Sequence, residues 1–142
     1  MSIVVDTNIV VSALLFGGHP GDLAKLWQAG KLDPIFSKDI LDEYLKVLAY
    51  PKFSLSEKEI EFLLKQEILP YFRVVETSEI QPKTIIRADP DDDKFIICAL
   101  ADKCDLIISG DKHLLDLGIF QNIEIITPSA FLTRIRQPKR LI

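Results

Sequence analysis

The sequence predicts an α/β fold, a central parallel sheet of about five strands sandwiched between two layers of helices. Two observations carry that prediction. Short β-branched runs alternate with helical segments along the whole chain, a pattern that argues for parallel strands joined by helices on both faces. The chain has 142 residues, which suits one domain, 1–142, around one core.

Each element has a local cause. Ile3-Val4-Val5 is β-branched throughout and reads as a buried strand. Asp6-Thr7-Asn8 breaks that run with three good helix caps, and Ile9–Phe16 starts a helix. Gly17-Gly18-His19-Pro20-Gly21 reads as a loop, and Asp22–Ala29 as a second helix ended by Gly30. Leu32–Phe36 is a strand. Ser37 caps the next helix, which carries Ile40, Tyr44, Val47 and Leu48 and stops before Pro51. Ser56 and Glu59 form a capping box ahead of the Ile60, Leu63, Leu64, Ile68 face. Phe72–Val75 is a further strand, and Thr77–Pro90, with two prolines, is mostly loop. Asp91-Asp92-Asp93 opens a helix over Lys94–Lys103, Leu106–Ser109 is a buried strand, and Ile123–Ile126 is the last strand. Thr127-Pro128 starts the last helix, which runs to about Arg136 before a short basic tail, 137–142.

Composition narrows the function. Apolar residues make up 48% and charged residues 27%, so no long disordered segment is expected. The net charge of −4 is wrong for a passive nucleic-acid binder, which is normally basic. Bound cations would be needed to offset the repulsion of a nucleic-acid substrate. The two cysteines, Cys98 and Cys104, fall six residues apart in one expected helix, on largely opposite sides, and read as reduced thiols. His19 and His113 have no zinc-site spacing around them. The N-terminus has neither the basic start nor the apolar length of a signal peptide, and no run approaches the roughly 18 apolar residues of a membrane span. A cytoplasmic location is expected.

The chemistry lies in the acids. Asp6 ends the first strand and Asp111 follows the Leu106–Ser109 strand. Ligands of open α/β sheets bind beyond the carboxyl ends of strands where strand order reverses, so neighbouring positions for these strands would put both acids on one crevice. Each also reads as a cap for the helix after it. Asp91, Asp92 and Asp93 exceed what a helix N-terminus needs, and three adjacent charges call for a cation or solvent. Glu43, with Ile40 and Val47 as helical neighbours, borders the inward face, where a carboxylate is costly unless paired or ligated; otherwise it tilts out to solvent. All-oxygen ligation suits Mg2+ or Mn2+ rather than zinc. Such ions orient and activate water and stabilise charge at a phosphodiester.

These segments, in this order and spacing, resemble the PIN-domain family, in particular VapC-type toxins of toxin–antitoxin systems. The motifs are the apolar strand with Asp6-Thr7-Asn8 and Ser12-Ala13-Leu14, Ser37-x-x-Ile40-x-x-Glu43, Asp89-Pro90-Asp91-Asp92-Asp93-Lys94-Phe95, and Leu106-Ile107-Ile108-Ser109-Gly110-Asp111. Phe16-Gly17-Gly18-x-Pro20 and Tyr50-Pro51-Lys52 further resemble one branch of the family. The resemblance implies a PIN-like domain with the first strand at the sheet centre. It implies Asp6, Glu43, Asp93 and Asp111 as the acidic quartet that holds Mg2+ or Mn2+, with Asp91 and Asp92 as possible helpers. Asn8 and Ser109 would steady the metal or a ligand. It implies an endoribonuclease acting on RNA, often a homodimer, held inactive by a small antitoxin. The early helices and the Ile60–Ile68 face are candidate dimer surfaces. Lys94 and Lys112, beside the acids, are candidate phosphate contacts or local charge balance. Arg134, Arg136, Lys139 and Arg140 are candidate RNA contacts or a solvated helix end. His19 and His113 are not expected to be catalytic.

Two other readings compete. Asp6 after a buried strand also resembles the phosphoryl-accepting aspartate of haloacid-dehalogenase-type phosphatases, but the second aspartate those enzymes need two residues on is Asn8 here. A non-catalytic interaction module would use the acidic cleft to hold a structural ion or a basic peptide.

Overall fold

The computed structural model describes residues 1–78 and 90–136. The elements are β1 (Ser2–Val5), α1 (Thr7–Leu15), α2 (Gly18–Gln28), β2 (Asp33–Phe36), α3 (Lys38–Leu48), α4 (Glu57–Leu63), β3 (Arg73–Val74), α5 (Asp93–Ala101), β4 (Leu106–Ile108), α6 (Lys112–Leu115), β5 (Ile119–Phe120), β6 (Ile123–Ile126) and α7 (Pro128–Arg136). Single 3-10 turns cover Pro51–Phe53 and Pro90–Asp92, and a π turn, Leu64–Ile68, extends α4.

Among the described residues the sheet has six strands, in the order β3-β2-β1-β4-β6-β5. The five strands read from the sequence are its parallel members, and β5 adds a short antiparallel edge against β6. That edge and α6 were not expected, because elements of two and four residues are too short to show a period. The architecture is the three-layer α/β/α arrangement. Ile3, Val4 and Val5 are wholly buried, as a central strand covered on both faces must be.

Local chemistry explains most boundaries. The Ser37 hydroxyl accepts from the Ile40 amide and starts α3. Ser56 and Glu59 form the full capping box of α4. The Thr127 hydroxyl accepts from the Ala130 amide at the start of α7. The glycine-rich segment departs from expectation: α2 begins at Gly18, not Asp22. Gly17 and Gly18 sit at φ 84° and 68°, the left-handed region that glycine enters freely, and Pro20 is tolerated in a first helical turn. Cys104 lies beyond the end of α5 rather than inside it. Cys98 and Cys104 are both buried and free. Most of the expected Thr77–Pro90 loop and the basic tail, with Lys139 and Arg140, fall outside the described residues. Among the described residues, no helix is long and apolar enough to cross a membrane.

One side of the core is aromatic. Phe72 lies edge-on to Trp27 at 5.1 Å and to Tyr44 at 6.1 Å, and stacks on Phe36 at 5.7 Å. The buried Tyr44 hydroxyl donates to the Val5 carbonyl at 2.5 Å, which ties α3 to the last residue of β1. This contact fixes the end of the strand that presents Asp6.

Candidate metal centre at the rim of the sheet

Strand order reverses between β1 and β4. From β1 the chain leaves toward β2 on one side, while β4 and β6 lie on the other. Val5 is in register with Ile108, so the residues that follow, Asp6 and Ser109, emerge side by side at the carboxyl edge. The Asp6 amide donates to the Ile108 carbonyl at 2.9 Å and locks that alignment.

The acid side chains converge on this rim. Ser109 is wholly buried, and its hydroxyl donates to Asp6 Oδ2 at 2.6 Å while accepting from the Asp111 amide at 2.9 Å. One hydroxyl therefore spaces the two carboxylate-bearing residues. Asp6 makes no side-chain cap to α1, so capping does not explain it. Asp111 does cap α6: its Oδ1 accepts from the His113 amide at 2.7 Å and the Leu114 amide at 3.3 Å. Glu43 turns inward from α3 rather than out to solvent. Its Oε2 accepts from the Thr7 hydroxyl, next in sequence to Asp6, and its Oε1 pairs with Lys94 Nζ at 2.8 Å. That ion pair uses Lys94 for local charge balance.

The third acid segment enters from α5. Asp92 and Asp93 are buried and Asp91 is exposed. One ligand atom each from Asp92, Asp111 and His113 lie within 4.8 Å of one another, a spacing that one cation could bridge. The start of α5 thus brings Asp92, one of the helpers the family resemblance allows, near Asp111, and Asp93, the ligand it implies, is buried next to it. His113 joins the rim because the turn after Asp111 starts α6. No motif announced that placement. Asn8 is exposed on the first turn of α1, and Lys112 is exposed beside Asp111.

Burial and neighbouring charges disfavour an ionised Asp6. Burial pushes the Asp6 carboxyl up to about 6, and the charges of Asp111 and Glu43 push the same way, while the Ser109 hydroxyl and the Thr7 amide oppose them. The nearby Tyr44 phenol is driven well upward, first by burial and then by Asp6. The oxygen-rich donor set, with one imidazole at its edge, fits a hard divalent ion. The Asp6 shift has a measurable consequence. Because its folded value is above the unfolded one, ionising Asp6 costs folding free energy. The metal-free protein should therefore lose stability as pH rises from about 4 to above 6, by roughly 3 kcal/mol from this group. Urea unfolding across that range in EDTA, with wild type beside Asp6→Asn, separates this group from carboxylates held down by ion pairs, such as Asp102 and Glu124; identical pH profiles would contradict the placement of Asp6.

The candidate arginines lie elsewhere. Arg134 forms a bidentate pair with Glu124 at the start of β6, at 2.6 and 2.8 Å. Arg136 lies 3.5 Å from Asp22 and lines a cavity of about 650 Å³ with Met1 and Leu32, at the amino ends of β1 and β2. Both are thus at the opposite rim from Asp6.

Carboxylates gathered at the switch point of a mostly parallel α/β sheet stand where such sheets bind their ligands. The chain belongs to the PIN-domain family: the family model matches residues 2–113, which include all the acid segments described above. Members of this family are generally nucleases. A chain from the crystal structure of VapBC2 from Rickettsia felis, bound to a DNA fragment from their promoter, has the same fold. It is 14% identical, with a TM-score of 0.62 over 88% of this chain and 97% of that one. The search of curated proteins finds no match.

Proposed function

We propose that the protein is a metal-dependent endoribonuclease, the toxin of a type II toxin–antitoxin pair. The observation that carries this reading is the Ser109 hydroxyl bridging Asp6 and Asp111 at the switch point, with Glu43 held beside them through Thr7. Asp6, Glu43, Asp93 and Asp111, with Asp92 as a further ligand, would hold Mg2+ or Mn2+. Such an ion supplies an activated water and stabilises charge on the phosphate oxygens at cleavage. The protein's own part is positional. Ser109 fixes the Asp6 oxygen, Thr7 and Lys94 fix the Glu43 carboxylate, and Tyr44 holds the strand end beneath them.

The likeness to a VapBC2 chain supports an antitoxin partner, and the exposed Phe62 and Leu69 near α4 support a protein-contact face for a homodimer or that partner. Absence of cleavage of several RNAs with either Mg2+ or Mn2+ would favour the interaction-module reading instead. In the same assay, Ser109→Ala should raise the Mn2+ concentration needed for half-maximal cutting by about 10–100-fold, the usual cost of losing a hydrogen bond that orients a ligand. An unchanged requirement would show that Ser109 does not set the position of Asp6.

A further inference from the structure

The motifs around Phe16 and Tyr50-Pro51-Lys52 play no part in holding the acids, yet they form a built surface beside them. Phe16, the residue after α1, is 70% exposed, an unusual position for a large apolar ring in a chain with a full core. Its ring centre lies 6.0 Å from that of Phe53, inclined at 47°. Lys52 Nζ sits 5.1 Å from the centre of the Phe53 ring. The backbone behind each ring is fixed. Gly17 and Gly18 follow Phe16 with positive φ, and Ser54 follows Phe53 at φ 52°, its amide donating to the Pro51 carbonyl at 3.0 Å. The two rings, with Asn8, Val11, Ser12 and Lys52, line a groove of about 500 Å³.

This groove connects with the acid rim. Asn8, Val11 and Ser12 fall on one face of α1, and Asn8 is the neighbour of Thr7, which holds Glu43. From Asn8 to Phe16 the helix path rises about 12 Å, which a stacked strand covers with about three nucleotides. Charge selects this route over its neighbour. A second cleft, about 420 Å³, also has an aromatic residue, Tyr50, but beyond the paired Glu43 and Lys94 it sets Asp39, Asp42 and Asp91 against Lys46, a net negative lining. The lining of the aromatic groove holds a lysine and no carboxylate.

We propose that the groove between α1 and the Pro51–Phe53 turn binds unpaired bases of the RNA next to the bond that is cut. Phe16 and Phe53 are its stacking surfaces, and Lys52 meets the backbone phosphate. The proposal rests on the ribonuclease reading and specifies its substrate as single-stranded. Every base has a face to stack, so the contact is tolerant of sequence.

Binding of a short, unstructured, labelled RNA to protein carrying Asp6→Asn, followed by fluorescence anisotropy in Mg2+ at low salt, tests it apart from cleavage, and no binding in this background would also overturn it. Phe16→Ala and Phe53→Ala should each weaken binding by about tenfold or more. Phe53→Trp should retain affinity, and its added emission should be quenched by the RNA. In cleavage, the alanine variants should raise KM more than they lower kcat. The proposal is overturned if both alanine variants bind RNA as the wild type does. It is equally overturned if they change only the sedimentation of the protein, since the rings would then be a protein contact. Cleavage by wild type with no dependence on either ring leaves the ribonuclease reading standing and removes the groove. Ring-dependent RNA binding without cleavage in any divalent metal supports the groove and removes the ribonuclease reading.

Discussion

Asp6→Asn is expected to cut metal-dependent RNA cleavage by more than about a hundredfold, because loss of a residue that merely orients a ligand already costs about 10–100-fold. The same substitution should make the metal-free protein more stable. Asp6 is 5% exposed, and its ionised form is opposed by burial and by Asp111 and Glu43. Asparagine keeps an oxygen for the Ser109 hydroxyl and removes the charge. The gain near neutral pH should approach the roughly 3 kcal/mol set by the shift, or several degrees in Tm. The opposite signs are the diagnostic feature. A residue kept for packing would lose stability and activity together, whereas a buried ligand exchanges stability for function. Thermal unfolding in EDTA beside cleavage in Mg2+ reads both, and a less stable Asp6→Asn protein would count against the site.

Phe72→Ala should have the largest effect on stability, a loss of about 3–5 kcal/mol, typical of emptying an aromatic core position. Phe72 touches Trp27, Phe36 and Tyr44, so its removal leaves three rings without a common partner. The midpoint of thermal unfolding should fall by roughly 10 °C. Because Tyr44 also holds the Val5 carbonyl, slackening this cluster should loosen Asp6 as well. Denaturant unfolding checks the magnitude. A loss below about 1 kcal/mol would mean that the cluster repacks and does not brace the site.

Much of this fold was legible because its strands are buried on both faces. Ile3-Val4-Val5 and Leu106-Ile107-Ile108 are uninterrupted apolar runs, and such runs arise when helices cover a parallel sheet on both sides, while Ile123–Ile126 is broken only by Glu124. The start of α2 was hidden, since Gly17, Gly18, Pro20 and Gly21 are individually turn residues and their helical placement depends on tertiary contacts. α6 and β5 were hidden by their length. At the site, strand ends pointed to Asp6 and Asp111, and a helix edge pointed to Glu43. The partners that aim those acids were less visible. Thr7 reaches Glu43 across 36 residues and Ser109 reaches Asp6 across 103, separations that no local pattern encodes. The order of three identical aspartates likewise hides which of them approaches Asp111, and the helix start places Asp92 there, near His113.

The proposed site joins carboxylates from distant segments into one seat for a divalent ion. Calorimetric titration of Mn2+ into wild-type protein and into Asp6→Asn addresses it without any RNA. Saturable binding to the wild type that is abolished or greatly weakened in the variant is the expected result. Wild-type protein that takes up no Mn2+, or a variant that binds it equally well, would rule out that seat.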